Sequence, residues 1–493
     1  MRTTITKSDW LISLACPAMA WHGLRADPVA PSEAEQFRMQ QGQEIGGLAR
    51  KLHPDGVIVP ATAGKTPAQM TRECLADLHK QTFFEATVAV GPFVAKADIL
   101  RRHDSAWHVL EVKSRFSDGE RIQDLVNDIA YTVMVFRRAG LNVDRASLVL
   151  LSRDFRFGDG PDRLFETVDV TANVMKRVSD FEVTSDETAR LLFQMTPPAP
   201  ILVSACRECP FFDTKCLGAG ISHTVLEIPG LHHKKLKRLS AEGIIDLAQL
   251  PADLELNENQ QRTVNSALSG KPIIDHRLGK ALATIPWPCH YLDFETVSTV
   301  LPLYKGHGCN QQVLTQFSVH RRETIDGEPE HRDYLADAGQ DCQRDLAESL
   351  INALDGKGAV VVYSSFERNR IKALRDAFPD LAAPLSIILG RLVDLLFFIT
   401  EFVSHPGFGG SYSIKTVLPA LVPELSYRGL AIRDGDTAIT RFARMARGEI
   451  RGDDIVPTRQ QLLDYCKLDT LAMLRLHGVL QEMAVSAASG AAD

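Results

Sequence analysis

Asp293 and Glu295 stand two residues apart in "HYLDFET", a short apolar run with strand character, so both side chains leave one face of the strand. Ionised carboxylates held close in apolar surroundings repel and lose solvation, and a divalent cation removes both costs. Glu367 follows the apolar run "AVVVYSS" at a strand-to-helix turn, where an acid can face the same cavity. In "YCKLDTLAM", Tyr465 and Asp469 are spaced i and i+4 and share one helix face. Together these residues fit two-metal phosphodiester hydrolysis. Asp293, Glu295, Glu367 and Asp469 are expected to hold Mg²⁺ or Mn²⁺, one ion activating a water and the other stabilising the leaving oxygen, while Tyr465 orients the water. Each acid alone reads better as a strand-end, helix-terminal or solvated helix acid, and their joint order and context carry the argument.

A second constellation lies upstream. Asp98 in "VAKADIL" and Glu111 with Lys113 in "HVLEVKS" fall on two strand patterns joined by a polar turn. Asp98 and Glu111 can bind a cation while the Lys113 ammonium stabilises a pentavalent phosphate or positions water. A hairpin with a surface Glu/Lys pair is the alternative. Cys206, Cys209 and Cys216 in "CRECPFFDTKC" are too dense for scattered core thiols and predict a metal group with a fourth ligand, for which Cys16 in "SDWLISLACPAMAW" is the candidate. Cys74, Cys289, Cys309, Cys342 and Cys466 are expected to be small buried apolar residues. In "GFGGSYSIKTVLP", Gly409, Gly410, Ser411 and Lys415 form either a phosphate-meeting loop or a plain Gly-rich turn before a helix.

The elements that must position these residues form two α/β modules. Residues 1–225 predict helices over 33–52 and 122–139, with strands over 83–90, 108–112 and 146–151. Residues 226–280 form a polar helical connector, "IPGLHHKKLKRLSAEGIIDLAQLP". Its two short helical patterns are split by Glu242-Gly243, with a basic first helix that suits either a helix-hairpin-helix or a solvated linker face. Residues 281–485 predict strands over 290–294, 312–320 and 359–363 and helices over 341–354, 367–378 and 459–481, and the small, polar tail "AVSAASGAAD" is expected to fray.

The chain has 493 residues and a net charge of -7, which excludes a basic coat for nucleic acid or anionic lipid and makes any nucleic-acid contact local. No apolar run approaches the length of a membrane span. The segment Leu11–Cys16 resembles a lipidated export signal but is too short and is approached through Ser8 and Asp9. Nine dispersed cysteines point to a reducing cytoplasm rather than a disulfide framework.

The order "DFET", "YSSFE" and "YxxxD" resembles the DEDDy 3′→5′ exonucleases of the RNase H-like (DnaQ-like) superfamily. The resemblance matches Asp293 and Glu295 to the first motif and Tyr465 with Asp469 to the last. Glu367 takes a position usually held by Asp, a change that lengthens the arm by one methylene. It also matches Asp394 in "RLVDLL" to an acid between the later motifs. More closely, "LDFET", "VVVYSSFERNRI", "GSYSIKTVLPALVPELSY" and "LLDYCKLDTLAM" resemble a bacterial family of uncharacterised proteins defined by this C-terminal domain, a likeness covering about residues 281–480.

The Glu-x-Lys strand with cysteines toward both ends of its module resembles the RecB-like PD-(D/E)XK nucleases, similar to those of CRISPR adaptation. That resemblance implies a [4Fe–4S] cluster on Cys16, Cys206, Cys209 and Cys216, with Zn²⁺ on the same thiolates, or with His223 as fourth ligand, as the alternative. Two departures imply a slow or non-cleaving site. Gly46, near Glu44, stands where these nucleases carry a helical His, and Asn127 with Tyr131 stands for their Gln-x₃-Tyr. The resulting expectation is a bacterial, cytoplasmic, two-nuclease protein. It would hydrolyse DNA, or alternatively RNA, at single strands or ends in repair or in defence against foreign DNA, without a membrane. Its rival is a non-cleaving scaffold for a helicase or defence partner.

Overall fold

The computed structural model describes residues 2–117 and 122–490 of the chain. It is a mixed α/β protein that divides into two units, one comprising Met1–Ile201, Glu208–Leu217 and Thr299–Gln311, the other Leu202–Arg207, Gly218–Ser298 and Gln312–Asp493. No helix among the described residues is long and apolar enough to cross a membrane.

The first unit opens with helices α1 (Lys7–Ala15), α2 (Pro17–Gly23) and α3 (Glu33–Arg50), strand β1 (Val57–Ile58) and helix α4 (Pro67–Leu75). Strands β2 (Thr82–Val90), β3 (Phe93–His103) and β4 (Ala106–Val112) follow, then helix α5 (Ile122–Arg138), strands β5 (Val143–Leu151) and β6 (Phe165–Asp169), and helix α6 (Thr171–Phe193). The six strands lie side by side in chain order; β4 and β5 are parallel, joined through α5, and β2–β3–β4 is an antiparallel meander. Capping boxes start α1 at Thr6–Asp9 and α3 at Ser32–Glu35, satisfying backbone N–H groups that the first turn leaves open. Apolar residues on one sheet face pack with α1, α2, α5 and α6, as in the contacts of Val109, Leu148, Ile129, Trp10 and Phe181. On the other face Ala49 of α3 joins Phe84, Ile99, Leu110 and Val149. The β2–β3 ladder skips the pair Glu85–Asp98, and Glu85 has φ 61°, so β2 is irregular opposite Asp98 of β3.

The short helix α7 (Phe212–Lys215) still belongs to the first unit; the second contains α8 (His233–Ala241), α9 (Glu258–Ser269), β7 (Ile273–Ile274), α10 (Leu278–Leu282), β8 (Cys289–Val297), β9 (Val313–Arg322) and β10 (Glu330–Leu335). It continues through α11 (Gln343–Ala353), β11 (Ala359–Val362), α12 (Phe366–Ala377), α13 (Ala382–Gly390), β12 (Leu392–Asp394), α14 (Leu395–Phe402), β13 (Val403–Ser404), α15 (Ile414–Leu421), α16 (Gly435–Ala446) and α17 (Ile455–Gly490). Its main sheet has the order β10-β9-β8-β11-β12, with β8, β11 and β12 parallel and β9 antiparallel to both neighbours. The period-two alternation of β8 divides the core. Cys289 and Tyr291 join Ala472, Leu476 and Leu480 of α17, whereas Leu292 and Phe294 join Leu346, Ile371 and Leu385 of α11–α13.

Two local expectations are corrected. The second helical pattern of the connector is only a 3₁₀ turn, Leu247–Gln249, because the Asp246 carboxylate accepts from Ala248 N–H and Pro251 follows at once. The tail is helical through Gly490, because Ala484 is buried with Leu278 and Leu282 of α10; residues 491–493 lie outside the described part. On the connector's basic helix α8, Arg238 pairs with Glu242 and Asp253, and Leu236 and Leu239 are buried.

Candidate metal centres

In the second unit the parallel strands β8, β11 and β12 end at one edge of the sheet, and four acids collect there, the usual place for a site in such a sheet. Asp293 and Glu295 come from β8, and the β8–β9 ladder slips a residue just after Glu295. Asp469 reaches them from α17, and the ligand oxygens of Asp293, Glu295 and Asp469 lie within 4.8 Å of one another. Glu367 enters from the first turn of α12; it is 4% exposed, and its Oε2 has no hydrogen-bond partner among the described residues. A buried oxygen of this kind carries its full desolvation penalty, on the order of 1–3 kcal/mol or more for a charged group, unless a cation meets it.

The electrostatics agree. Burial, then the charges of Asp469, Glu295 and Glu367, hold the Asp293 carboxyl far above the usual carboxylate range. Burial followed by Asp469 does the same to Glu295. Burial, with Asp394 and Asp469 adding to it, pushes Glu367 up to about 7, and burial pushes Asp469 up to about 6. Tyr465 lies one turn before Asp469 on α17, and burial and the nearby carboxylates raise its phenol well above its ordinary value, so it stays protonated.

Three further groups complete the wall. The Tyr427 hydroxyl donates to Asp469 Oδ1 at 2.5 Å. The Cys466 thiol donates to Asp293 Oδ2 at 3.3 Å, so this cysteine does more than fill the core. Lys415, in the first turn of α15, places Nζ 5.5 Å from the Tyr465 ring centroid and 5.8 Å from that of Tyr427, and its charge lowers Glu295 and Asp469. Ser411 lies at the surface before α15, where its Oγ accepts from Thr416 Oγ1 and Ser413 N–H. Gly410 has φ 77°, and a Cβ there would lie 2.4 Å from the Glu227 carbonyl oxygen, so close backbone approach dictates this glycine. Asp394 ends β12 and caps α14 through Leu396 N–H; it also accepts from the backbone of Phe397 and Ser364.

In the first unit Asp98, Glu111 and Lys113 meet on the sheet face covered by α1 and α5. Glu111 is 2% exposed; burial and then Asp98 push its carboxyl up to about 7. Lys113 Nζ lies 3.0 Å from Glu111 Oε1 and 3.0 Å from Asp128 Oδ2, and Asp98 Oδ2 accepts from Val112 N–H at 2.9 Å. Two participants carry no motif: Asp128 of α5 and Lys7 of α1, whose Nζ lies 2.5 Å from Glu111 Oε1 and 2.6 Å from Asp128 Oδ1. Asn127 instead accepts from Arg177, and the fully buried Tyr131 donates its hydroxyl to the Ile5 carbonyl. Glu44 and Gly46 lie on α3, the helix of the opposite sheet face.

Three cysteines of this unit influence one another. Burial raises the Cys216 thiol, and Cys16 and Cys209 add to the effect. Cys16 caps α2, its Sγ accepting from Met19 N–H at 3.4 Å. Cys206 sits in the segment Leu202–Arg207, where Val203 N–H points to its Sγ at 3.5 Å. His223 has Nδ1 2.9 Å from Glu227 Oε2.

No curated protein matches the sequence. A family model described as a domain of unknown function (DUF2779) matches residues 290–413, a span that contains Asp293, Glu295, Glu367, Asp394 and Ser411 and stops before Lys415, Tyr427, Tyr465 and Asp469.

Proposed function

We propose that the second unit is an RNase H-like phosphodiesterase that trims DNA from its 3′ end, and that the first unit is a RecB-like PD-(D/E)XK module. The observation that carries the reading is the cluster of Asp293, Glu295 and Asp469 oxygens within 4.8 Å, with the buried Glu367 Oε2, which has no hydrogen-bond partner among the described residues, beside it. A mixed sheet with these acids at the ends of parallel strands is compatible with such a domain. Asp293, Glu295, Glu367 and Asp469 would hold Mg²⁺ or Mn²⁺, whose charge would stabilise the oxygens that become negative as a phosphodiester is hydrolysed.

The chain's own residues divide the remaining work. Tyr427 fixes Asp469, and Cys466 fixes Asp293. Tyr465, kept protonated, offers a donor that can hold a water but not a base that can strip it. Lys415 supplies an ammonium to a substrate phosphate. In the first unit Asp98 and Glu111 Oε2, unmet among the described residues, suit one cation, and Lys113 would meet the phosphate. Cys16, Cys209 and Cys216 would supply thiolates to a [4Fe–4S] cluster, Cys206 being the fourth of the sequence pattern; Zn²⁺ on these thiolates is the alternative. A DNA-repair or defence role in a bacterial cytoplasm follows from this reading. The engagement of Glu111 by two lysines favours, for the first unit alone, a second reading as a nucleic-acid clamp without cleavage.

End-labelled single- and double-stranded DNA and RNA, digested with Mn²⁺ by wild type and by Asp293→Asn, test the reading. Wild type is expected to shorten DNA from the 3′ end, and the variant to lose at least about 100-fold in rate, the scale of removing one transition-state charge partner. Intact substrate in every lane, or equal cleavage by both proteins, refutes it.

A further inference from the structure

Lys7, Glu111, Lys113 and Asp128 close a ring of ion pairs: each lysine touches both Glu111 and Asp128. Both ammonium groups converge on the same Glu111 oxygen, Oε1. The other, Oε2, is buried and has no hydrogen-bond partner among the described residues, and Asp98 is the carboxylate whose charge bears most on it. A ring built only for stability would use both oxygens, since a buried carboxylate oxygen left unmet works against folding. The arrangement instead leaves Glu111 Oε2 unmet among the described residues and surrounds Oε1 with cations.

Lys7 is the unexpected member. It is the first residue of α1, where the helix dipole disfavours positive charge. Helix α1 is itself held in place by the Thr6–Asp9 capping box and by Trp10, which is fully buried against Phe93, Tyr131 and Phe181. The position of Lys7 therefore answers to Glu111 and Asp128 rather than to the helix.

We propose that Lys7 is a built-in counter-cation of the first unit's acidic site, competing with a divalent ion for the charge of Glu111. The proposal rests on the reading of Asp98 and Glu111 as cation ligands. Lys7 lowers the site's affinity for metal, and a nucleic-acid phosphate that draws the Lys7 ammonium away from Glu111 strengthens that affinity. The first unit thereby loads its cation mainly in the presence of substrate.

Mn²⁺ binding by the full chain, measured by electron paramagnetic resonance in an Asp293→Asn/Asp469→Asn background, isolates this site. Lys7→Gln is expected to bind Mn²⁺ about tenfold more tightly, because a unit charge a few ångströms away is removed. Lys7→Arg, which keeps the charge, is expected to match the background protein. A non-hydrolysable phosphorothioate oligonucleotide is expected to tighten Mn²⁺ binding in the background protein and to have little effect in Lys7→Gln. If Lys7→Gln does not fold, as judged by circular dichroism, Lys7→Met keeps the packed stem and carries the same expectation. Unchanged or weaker Mn²⁺ binding in the neutral variant overturns the role of Lys7, provided Asp98→Asn in the same background abolishes binding. If Asp98→Asn leaves Mn²⁺ binding intact, the metal reading of the first unit fails instead.

Discussion

Glu367 is the residue on which the second unit's charge balance turns. Its carboxyl is raised from the ordinary 4.5 to about 7, chiefly by burial, and that of Asp469 from 3.8 to about 6 for the same reason. In metal-free protein the folded state therefore holds more protons than the unfolded chain between roughly pH 4 and pH 7. Stability falls as pH rises through that window. Thermal melts in EDTA should show a melting temperature that drops from pH 5 to pH 7.5. Mn²⁺ should raise it at pH 7.5 by about 2–4 °C per kcal/mol gained, and by less at pH 5. An upward or flat EDTA profile would refute this account of the acids.

Cys466 gives a second prediction at this scale. Cys466→Ala removes the donor on Asp293 and should weaken Mn²⁺ affinity by about tenfold, the lower end for losing a ligand's hydrogen-bond partner. Cys466→Ser keeps a donor and should stay close to wild type in the same binding titration. The acids themselves were legible because a two-residue strand period and a four-residue helix period place them on shared faces. Cys466 and Tyr427 were not, because they reach their carboxylates across 173 and 42 residues and no periodicity reports such distances. Lys7 meets Glu111 across 104 residues and escapes detection for the same reason.

Among the elements, the turn between β11 and α12 does the aiming. Ser364 has φ 135°, a region that favours glycine, and its Oγ accepts from Phe366 N–H at 3.1 Å. Asp394, at the end of the adjacent strand, accepts from the backbone of Ser364 as well as from Leu396 and Phe397. It thus ties the strained turn that presents Glu367 to the start of α14. Asp394→Ala leaves these N–H groups without their acceptor and should cost about 1–3 kcal/mol of stability, visible in urea unfolding. The same variant should lose nuclease activity, while Asp394→Asn, which keeps a carbonyl oxygen, should retain most of both. Long, strongly patterned elements such as α3, α5 and β8 were readable to within a few residues. The turn's geometry was not, because a positive φ at serine is imposed by its neighbours rather than by its own preference.

At the scale of the whole molecule, two acidic centres stand in two units, and their contributions separate by substitution. If both cut, Asp469→Asn should abolish 3′-end trimming and leave any Mn²⁺-dependent cleavage that Lys113→Ala removes, as read on end-labelled and circular single-stranded DNA. Metal analysis of anaerobically purified protein provides an independent check on the cysteines: iron with acid-labile sulfide is expected, and stoichiometric zinc without iron would decide for the alternative. The apolar patterning along the chain pointed to the two α/β modules, with acids numerous enough to make the net charge -7. It carried no sign that Thr299–Gln311 belongs with the first unit.

That segment lies in the chain between β8 and β9. In the first unit the Gln41 side chain accepts from Val300 N–H at 2.7 Å, and Cys309, Val300 and Leu301 pack with Ile45, Leu151, Phe155 and Leu164. An edge of the first unit's core thus stays open on the ribosome until Gln311 has emerged, by which time Asp293 and Glu295 have already been made. The two units are interlaced in synthesis, and a single crossover between genes cannot exchange one without breaking the other.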